Sequence, residues 1–109
     1  MLIEFEKIDQ QVLNQFKGGT GEFCLRAFDH PACRIMKGSL EPGASIGMHT
    51  HETNSEVIYI LSGSGKVLYD DGQEMLSAGS CHYCPMGHAH SLMNTGSEKM
   101  TFFAVVPQC

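Results

Sequence analysis

The sequence has few basic residues and no long apolar run. Its 109 residues include seven Lys and Arg against twelve Asp and Glu, a formal net charge of −5 at pH 7. Nucleic acids and anionic membranes are bound mainly through basic side chains, so this composition argues against both partners. No apolar stretch approaches the roughly 20 residues that a membrane-spanning helix needs. We therefore expect a protein that binds neither nucleic acid nor a membrane.

The first residues also lack the pattern of a secretory signal peptide. The segment MLIEFEKIDQ carries acidic side chains where a signal peptide has basic residues followed by an apolar stretch. We therefore expect a cytoplasmic protein. In that reducing compartment cysteines stay free thiols, and we expect this of all five: Cys24, Cys33, Cys81, Cys84 and Cys109.

Two of these cysteines, Cys81 and Cys84, have the CxxC spacing of a redox pair or of half a zinc site. The segment between Gly79 and Pro85 is predicted to be a strand, however, in which positions three apart point to opposite faces. Their Cα atoms would lie roughly 10 Å apart, beyond the ~7 Å limit for a disulfide. No second CxxC completes a four-thiolate zinc site. We expect both thiols to be packing groups.

Turn residues divide the chain into short segments, which predicts an all-β domain. From residue 22 onward such separators recur at intervals of about ten residues, a spacing typical of a small barrel or a double-sheet jelly roll. The predicted strands are 22–29, 33–40, 46–51, 56–61, 65–70, 73–76, 80–85, 90–94 and 100–106. Residues 1–21 are expected to form an extension that packs on a barrel of residues 22–109. It would contain a short strand, Leu2–Phe5, and a helical turn, Asp9–Phe16.

Three side chains in the middle of the chain have the spacing of metal ligands. His49 and His51 lie two positions apart, so in a strand both imidazoles point to one face, about 6.6 Å apart. Glu56 begins the next strand, and two histidines with one carboxylate match the facial ligand set of non-haem iron sites. Glu52 is the competing carboxylate, but it directly follows His51 and should face the other way. A fourth ligand is expected from residues 85–90. The alternative is a polar hairpin with surface histidines.

Two motifs that include these residues resemble those of the cupin family. Residues 43–63 fit the first cupin motif, G-x5-H-x-H-x4-E-x6-G, at all five fixed positions: Gly43, His49, His51, Glu56 and Gly63. Residues 79–94 fit the second, G-x5-P-x-G-x2-H-x3-N, again at all five: Gly79, Pro85, Gly87, His90 and Asn94. Fifteen residues separate the motifs, and together they span about half of the chain. The one departure is Ser80, where many cupins carry an acid.

The resemblance implies a small cupin-type β-barrel of the jelly-roll type that holds one divalent transition metal, such as Mn, Fe, Ni or Zn. It implies His49, His51, Glu56 and His90 as the metal ligands, and so selects His90 over its neighbour His88. Four protein ligands leave two positions of a six-coordinate ion open to water, dioxygen or a chelating substrate. Because small one-domain cupins are commonly dimers, the resemblance also implies a homodimer.

The remaining histidines have weaker interpretations. His88 is a candidate for proton transfer beside the metal, with a solvent-facing turn residue as the alternative. His82 is expected to face outward from its predicted strand, and His30 to lie in a turn.

Strand parity also predicts which residues of the segment after Glu56 are buried. Ile58 and Ile60 are expected to point inward, whereas Val57, Tyr59 and Leu61 face outward. That apolar outer face would be covered by the N-terminal strand or by a second subunit.

The sequence leaves two functions open, an enzyme and a binding module. The first is a metal-dependent enzyme of the dioxygenase, isomerase or lyase type that acts on a small oxygen-rich or carbonyl compound. The second is a non-catalytic cupin that binds a small-molecule ligand or the metal itself. A metal that only stabilises the fold is a third interpretation, and a closed ligand shell would be its sign. No residue outside the motifs indicates a particular reaction.

Overall fold

The computed structural model describes residues 1–108, which form ten β-strands in two antiparallel sheets. The strands are β1 (Gln11–Asn14), β2 (Glu22–His30), β3 (Cys33–Leu40), β4 (His49–Thr50), β5 (Glu56–Ser62), β6 (Ser64–Tyr69), β7 (Gly72–Ser77), β8 (Cys81–Cys84), β9 (Ala89–Met93) and β10 (Met100–Pro107). The all-β prediction is confirmed. Eight of the nine predicted strands agree with these bounds to within one residue, and the ninth, 46–51, shortens to His49–Thr50.

The two sheets face each other as in a jelly roll. Their strand orders are β1-β2-β3-β10-β5-β8 and β4-β9-β6-β7. The chain changes sheet several times, and two of these changes lie between β4 and β5 and between β8 and β9. These are the strand pairs that carry the two sequence motifs, so each motif contributes side chains from both sheets. This topology agrees with the predicted barrel.

Alternate residues of the strands fill the space between the sheets. In β5, Ile58 and Ile60 are 2% and 0% exposed, which confirms that they point inward. Phe102 and Ala104 of β10 are equally buried and lie beside them, because β10 pairs with β5. Burial of a large apolar side chain contributes about 1.5–3 kcal/mol, so this layer supplies much of the fold's stability.

The N-terminal segment differs from its predicted secondary structure. No strand forms at Leu2–Phe5, and the helical turn predicted at Asp9–Phe16 is wrong. Gln11–Asn14 is instead an edge strand that pairs with β2. Gln15 and Lys17 have φ angles of +51° and +57°, a left-handed conformation that an α-helix does not contain. The segment therefore forms a strand because it pairs with β2, although its apolar side chains have the spacing of a helix.

The helical elements among residues 1–108 are two short 3-10 turns, Phe5–Lys7 and Phe16–Gly18. Accordingly, no described helix is long and apolar enough to cross a membrane. The turns bring aromatic rings of the N-terminal segment onto the barrel. Phe5 meets Phe103 edge-on with 6.3 Å between ring centroids, and Phe16 lies 5.6 Å from Phe23.

The outer face of the six-stranded sheet stays partly uncovered. The N-terminal strand β1 extends this sheet beside β2 rather than lying across its face. Tyr59 and Leu61 of β5 and Tyr83 of β8 are 42%, 43% and 54% exposed. A second subunit over this face, as the expected homodimer requires, stays a prediction.

Candidate metal centre

Four side chains converge in the space between the sheets. His49 of β4 lies directly opposite His90 of β9, His51 follows β4, and Glu56 begins β5. Their ligand atoms all lie within 4.8 Å of one another. The competing carboxylate, Glu52, is exposed and does not belong to this group. The structure thus brings together the four residues that the resemblance implied as ligands, and they are called the His/Glu cluster below.

Three of the donor atoms have separations that suit a single ion. Nε2 of His51 lies 2.9 Å from Nε2 of His90, and Oε1 of Glu56 lies 3.1 Å and 3.0 Å from these two atoms. Two atoms bound about 2.1 Å from one ion, at right angles, are about 3.0 Å apart. All three side chains are buried, where electron-rich atoms at such contact repel unless a proton or a cation lies between them. The residues present therefore fit a divalent metal.

Hydrogen bonds on the far side of two imidazoles direct their Nε2 lone pairs toward the cluster. Nδ1–H of His49 donates to the carbonyl oxygen of Gly47 at 2.8 Å, and Nδ1–H of His51 donates to Oδ1 of Asn54 at 2.6 Å. A neutral imidazole has only one N–H, so Nε2 of each ring is then available to a metal. Both acceptors lie within three residues of the ring that they orient. This part of the site is thus built locally, by residues within the first motif.

Burial and hydrogen bonding set the charge of the cluster. Burial alone would raise the pKa of Glu56, but hydrogen bonds from His51 and His90 lower this pKa to about 2, so the carboxylate is ionised at neutral pH. Burial lowers the pKa of His49, which keeps that ring neutral. The hydrogen bond to Glu56 raises the pKa of His51. A proton on Nε2 of His51 therefore competes with a metal for the same lone pair.

A cavity of about 620 Å³ adjoins the cluster and includes exposed residues in its wall. Buried apolar side chains such as Leu25 and Phe102 line its inner part, and Phe16 and Lys17 of the N-terminal segment line another part. The N-terminal segment approaches very closely at Gly47, just before β4. A Cβ atom there would lie 2.0 Å from the carbonyl oxygen of Lys17, so only glycine allows this contact.

His88 lies outside the cluster and is not among the residues that line this cavity. Its side chain is 45% exposed, and its Nδ1–H donates to Oδ2 of Asp70 at 2.7 Å. The geometry thus favours the solvent-facing turn histidine over proton transfer beside a metal.

The prediction that His82 faces outward is wrong. His82 is 2% exposed and pairs across the sheet with Ile58, an inward residue, so parity points it inward too. Its Nδ1 lies 2.9 Å from Oε1 of Glu74, and its Nε2 lies 3.0 Å from Nδ1 of His90. The register of β8 against β5 decides which side chains of β8 point inward, and the sequence prediction did not take this register into account.

The CxxC cysteines lie on opposite faces of β8, as predicted. Cys81 is exposed and Cys84 is buried, so only Cys84 is a packing group. Burial raises the pKa of Cys84 to about 11, which keeps its thiol protonated. Within residues 1–108 the cysteines are free thiols, whereas Cys109 lies outside the described residues.

A comparison of the sequence with known families settles its membership. The cupin domain family model matches residues 36–106, which include both motifs and all four cluster residues. The chain belongs to the cupin family. Among curated proteins, the "Oxalate-binding protein" of Thermotoga maritima is 32% identical to this cupin over 97% of this chain and 93% of that one.

Solved structures agree with this membership. The crystal structure of a "predicted oxalate decarboxylase" from Thermotoga maritima superposes with a TM-score of 0.93, covers 100% of both chains and is 28% identical. The polyketide cyclase RemF from Streptomyces resistomycificus superposes with a TM-score of 0.82, over 100% of this chain and 80% of that one, at 19% identity. At that identity the likeness shows the fold alone.

Proposed function

We propose that this cupin binds one divalent transition metal through His49, His51, Glu56 and His90, and that the ion holds a small anionic oxygen chelator such as oxalate. The observation that carries the proposal is the convergence of four donor atoms, three of them spaced as neighbouring ligands of one ion, beside a cavity. When bound, the ion supplies a Lewis-acidic centre for oxygen anions.

The charge of the cluster supports an anionic ligand. Neutral imidazoles and one carboxylate leave a divalent ion with a net charge of about +1, which favours an anion in the remaining positions. Four protein ligands leave two positions of a six-coordinate ion, enough for both oxygens of a bidentate chelator. The name of the Thermotoga maritima oxalate-binding relative points to the same class of ligand.

A metal-dependent enzyme of the dioxygenase, isomerase or lyase type is the second candidate, and the size of the cavity favours it. A cavity of about 620 Å³ has the volume of roughly 20 water molecules at ~30 Å³ each. A six-atom oxalate fills only a small part of that space, so a larger carbonyl compound also fits. An open cavity beside the cluster argues against a purely structural ion, whose ligand shell is normally closed.

Metal analysis and calorimetry test the binding proposal. Protein purified without an affinity tag is expected to take up about one ion per chain from Mn²⁺, Co²⁺, Ni²⁺ or Zn²⁺ and to bind oxalate only when loaded. The double variant His49→Ala, His51→Ala is expected to lose both properties. The variant His88→Asn, which removes a half-exposed histidine outside both the cluster and the cavity wall, should keep both. A native protein that takes up no metal on reconstitution contradicts the proposal.

Turnover assays separate the two candidates. Oxygen uptake and product analysis on the loaded protein, with β-diketones, catechols, hydroxy acids and sugar phosphates, cover the carbonyl and oxygen-rich classes. A product that disappears in the double variant supports the enzyme. A ligand that raises the melting temperature of the loaded protein without product supports the binding module.

A further inference from the structure

We propose that Glu74 and His82 are positioning residues that orient His90, through a hydrogen-bonded chain running from the protein surface to the His/Glu cluster. The chain of groups is carboxylate, imidazole, imidazole. It would hold His90 with a proton on Nδ1 and a lone pair on Nε2, directed at the cluster. The inference rests on the proposed metal site, since its purpose is to present that lone pair to an ion.

The geometry of the chain is continuous. Oε1 of Glu74 lies 2.9 Å from Nδ1 of His82, and Nε2 of His82 lies 3.0 Å from Nδ1 of His90. Both imidazoles are buried, at 2% and 1% exposure, whereas the side chain of Glu74 is 50% exposed. The three residues come from β7, β8 and β9, so the chain crosses from one sheet to the other and back.

The positions of the protons give this hydrogen-bonded chain a single donor-to-acceptor direction. An ionised carboxylate only accepts hydrogen bonds, so Nδ1 of His82 carries the proton and donates to Glu74. Nε2 of His82 is then a lone pair and accepts a hydrogen bond from Nδ1–H of His90. When His90 is neutral, as a metal ligand must be, Nε2 is therefore the atom without a proton. The reverse arrangement would set a lone pair of His82 against the carboxylate oxygen, at 2.9 Å.

The hydrogen-bonded chain gives His90 an acceptor for its Nδ1–H, as the other two ligand histidines already have. Nδ1–H of His49 donates to Gly47 and that of His51 to Asn54, both neighbours in sequence. At Nδ1 of His90 the ring of His82, eight residues away in the sequence, takes the place of such a local acceptor. Carboxylate–histidine–metal arrangements of this kind fix ring orientation and raise the basicity of the ligand. Here one more imidazole, that of His82, lies between the carboxylate and the ligand histidine.

A second metal site is the competing interpretation, because His82, Cys84 and His90 also lie close enough to hold an ion. Both ring nitrogens of His82 are already engaged, by Glu74 and by His90. Burial keeps the Cys84 thiol protonated, and it donates to the carbonyl oxygen of His88 at 3.5 Å. The group is thus satisfied by hydrogen bonds without an ion. If the hydrogen-bonded chain is correct, each molecule binds one metal ion, whereas a second site predicts two.

The first test reads the proton on His90 directly in the metal-free protein. Long-range ¹H–¹⁵N NMR of imidazole rings distinguishes a protonated Nδ1 from a protonated Nε2. The wild type is expected to show Nδ1–H on both His82 and His90 at neutral pH. Because this measurement needs no metal, it tests the hydrogen-bonded chain even if the protein takes up no metal. Protonation of neutral His90 at Nε2 alone would overturn the inference.

The second test compares metal affinity in three variants. His82→Phe keeps a ring of similar size but removes the acceptor, and it is expected to weaken Co²⁺ binding 10- to 100-fold. His82→Gln offers an amide oxygen to His90 and is expected to recover part of that loss. Glu74→Leu removes the carboxylate from a half-exposed position and is expected to weaken binding at least several-fold. Its matched control, Glu41→Leu, removes an exposed carboxylate 3.6 Å from Lys99 and should leave affinity unchanged.

The outcomes separate this inference from the proposed function. A wild type that binds no metal refutes the metal site itself. A wild type that binds one ion, with His82→Phe and Glu74→Leu folded and equal to it in affinity, overturns only the positioning role. Uptake of two ions, reduced to one by Cys84→Ser, overturns it in favour of the second site. Where His82→Phe does not fold, Glu74→Leu decides, because its side chain is half-exposed.

Discussion

Replacement of Glu56 by glutamine is the sharpest test of the electrostatics of the cluster. The pKa of this carboxyl falls from 4.5 to about 2 in the folded, metal-free protein, because the hydrogen bonds from His51 and His90 outweigh burial. A shift of that size corresponds to about 3 kcal/mol of unfolding free energy. Glutamine has the same shape and does not ionise between pH 2 and 7, so it removes this contribution.

The sign of the pH dependence follows from the depressed pKa. As pH falls below 4.5 the unfolded chain takes up a proton at Glu56, whereas the folded chain stays ionised until about pH 2. The contribution is therefore fully present above about pH 5 and is lost as the pH falls toward 2. By pH 3 about 2 kcal/mol of it is gone. Glu56→Gln should accordingly cost about 2 kcal/mol more, relative to wild type, at pH 6 than at pH 3.

Urea unfolding followed by circular dichroism in EDTA measures this difference. The matched control is Glu41→Gln, which makes the same chemical change at an exposed ion pair and should stay within about 0.5 kcal/mol of wild type. The reasoning is refuted when the gap between Glu56→Gln and wild type is the same at pH 3 and pH 6. That result would mean that Glu56 titrates alike in the folded and unfolded chains.

Three further predictions follow from the site and the surface. Because the pKa of His51 is raised, metal affinity measured by calorimetry should increase from pH 6 to pH 8, and a flat profile would contradict proton competition at this ring. Asn54→Ala removes the acceptor that orients His51 and should weaken metal binding 10- to 100-fold, with unchanged affinity as the contrary result. Light scattering after gel filtration should give twice the chain mass of 11.9 kDa, and Leu61→Glu with Tyr83→Glu should give the monomer mass. A monomeric wild type at micromolar concentration would leave the exposed face without a second subunit.

Strand bounds were predictable from the sequence because turn residues act locally. Separators such as Asp71-Gly72 and Ala78-Gly79 end one strand and permit the next whatever the partner strand is. The approach of the cluster residues was also indicated, because His49 and His51 share one face of a strand, Glu56 begins the next strand, and the resemblance added His90.

Features that depend on pairing register were not predictable in the same way. Val12, Leu13 and Phe16 have helical spacing, yet the segment forms a strand because β2 offers it an edge. His82 was assigned outward because nothing within β8 itself says which face is buried. Only the pairing of His82 with Ile58 decides that, and this contact joins residues 24 positions apart in the sequence.

The same distinction bears on how a cupin motif should be used as evidence for a metal. The motif specifies the four cluster residues, but a histidine binds an ion only through a nitrogen that lacks a proton. At His49 this condition is met by the backbone carbonyl of residue 47, which does not depend on a side chain. At His51 it depends on the side chain of Asn54, which occupies a variable position of the first motif. At His90 it depends on His82, which occupies a variable position of the second motif. A relative that keeps every fixed residue but has an apolar side chain at that position would match the motif equally well, and we expect it to bind metal more weakly.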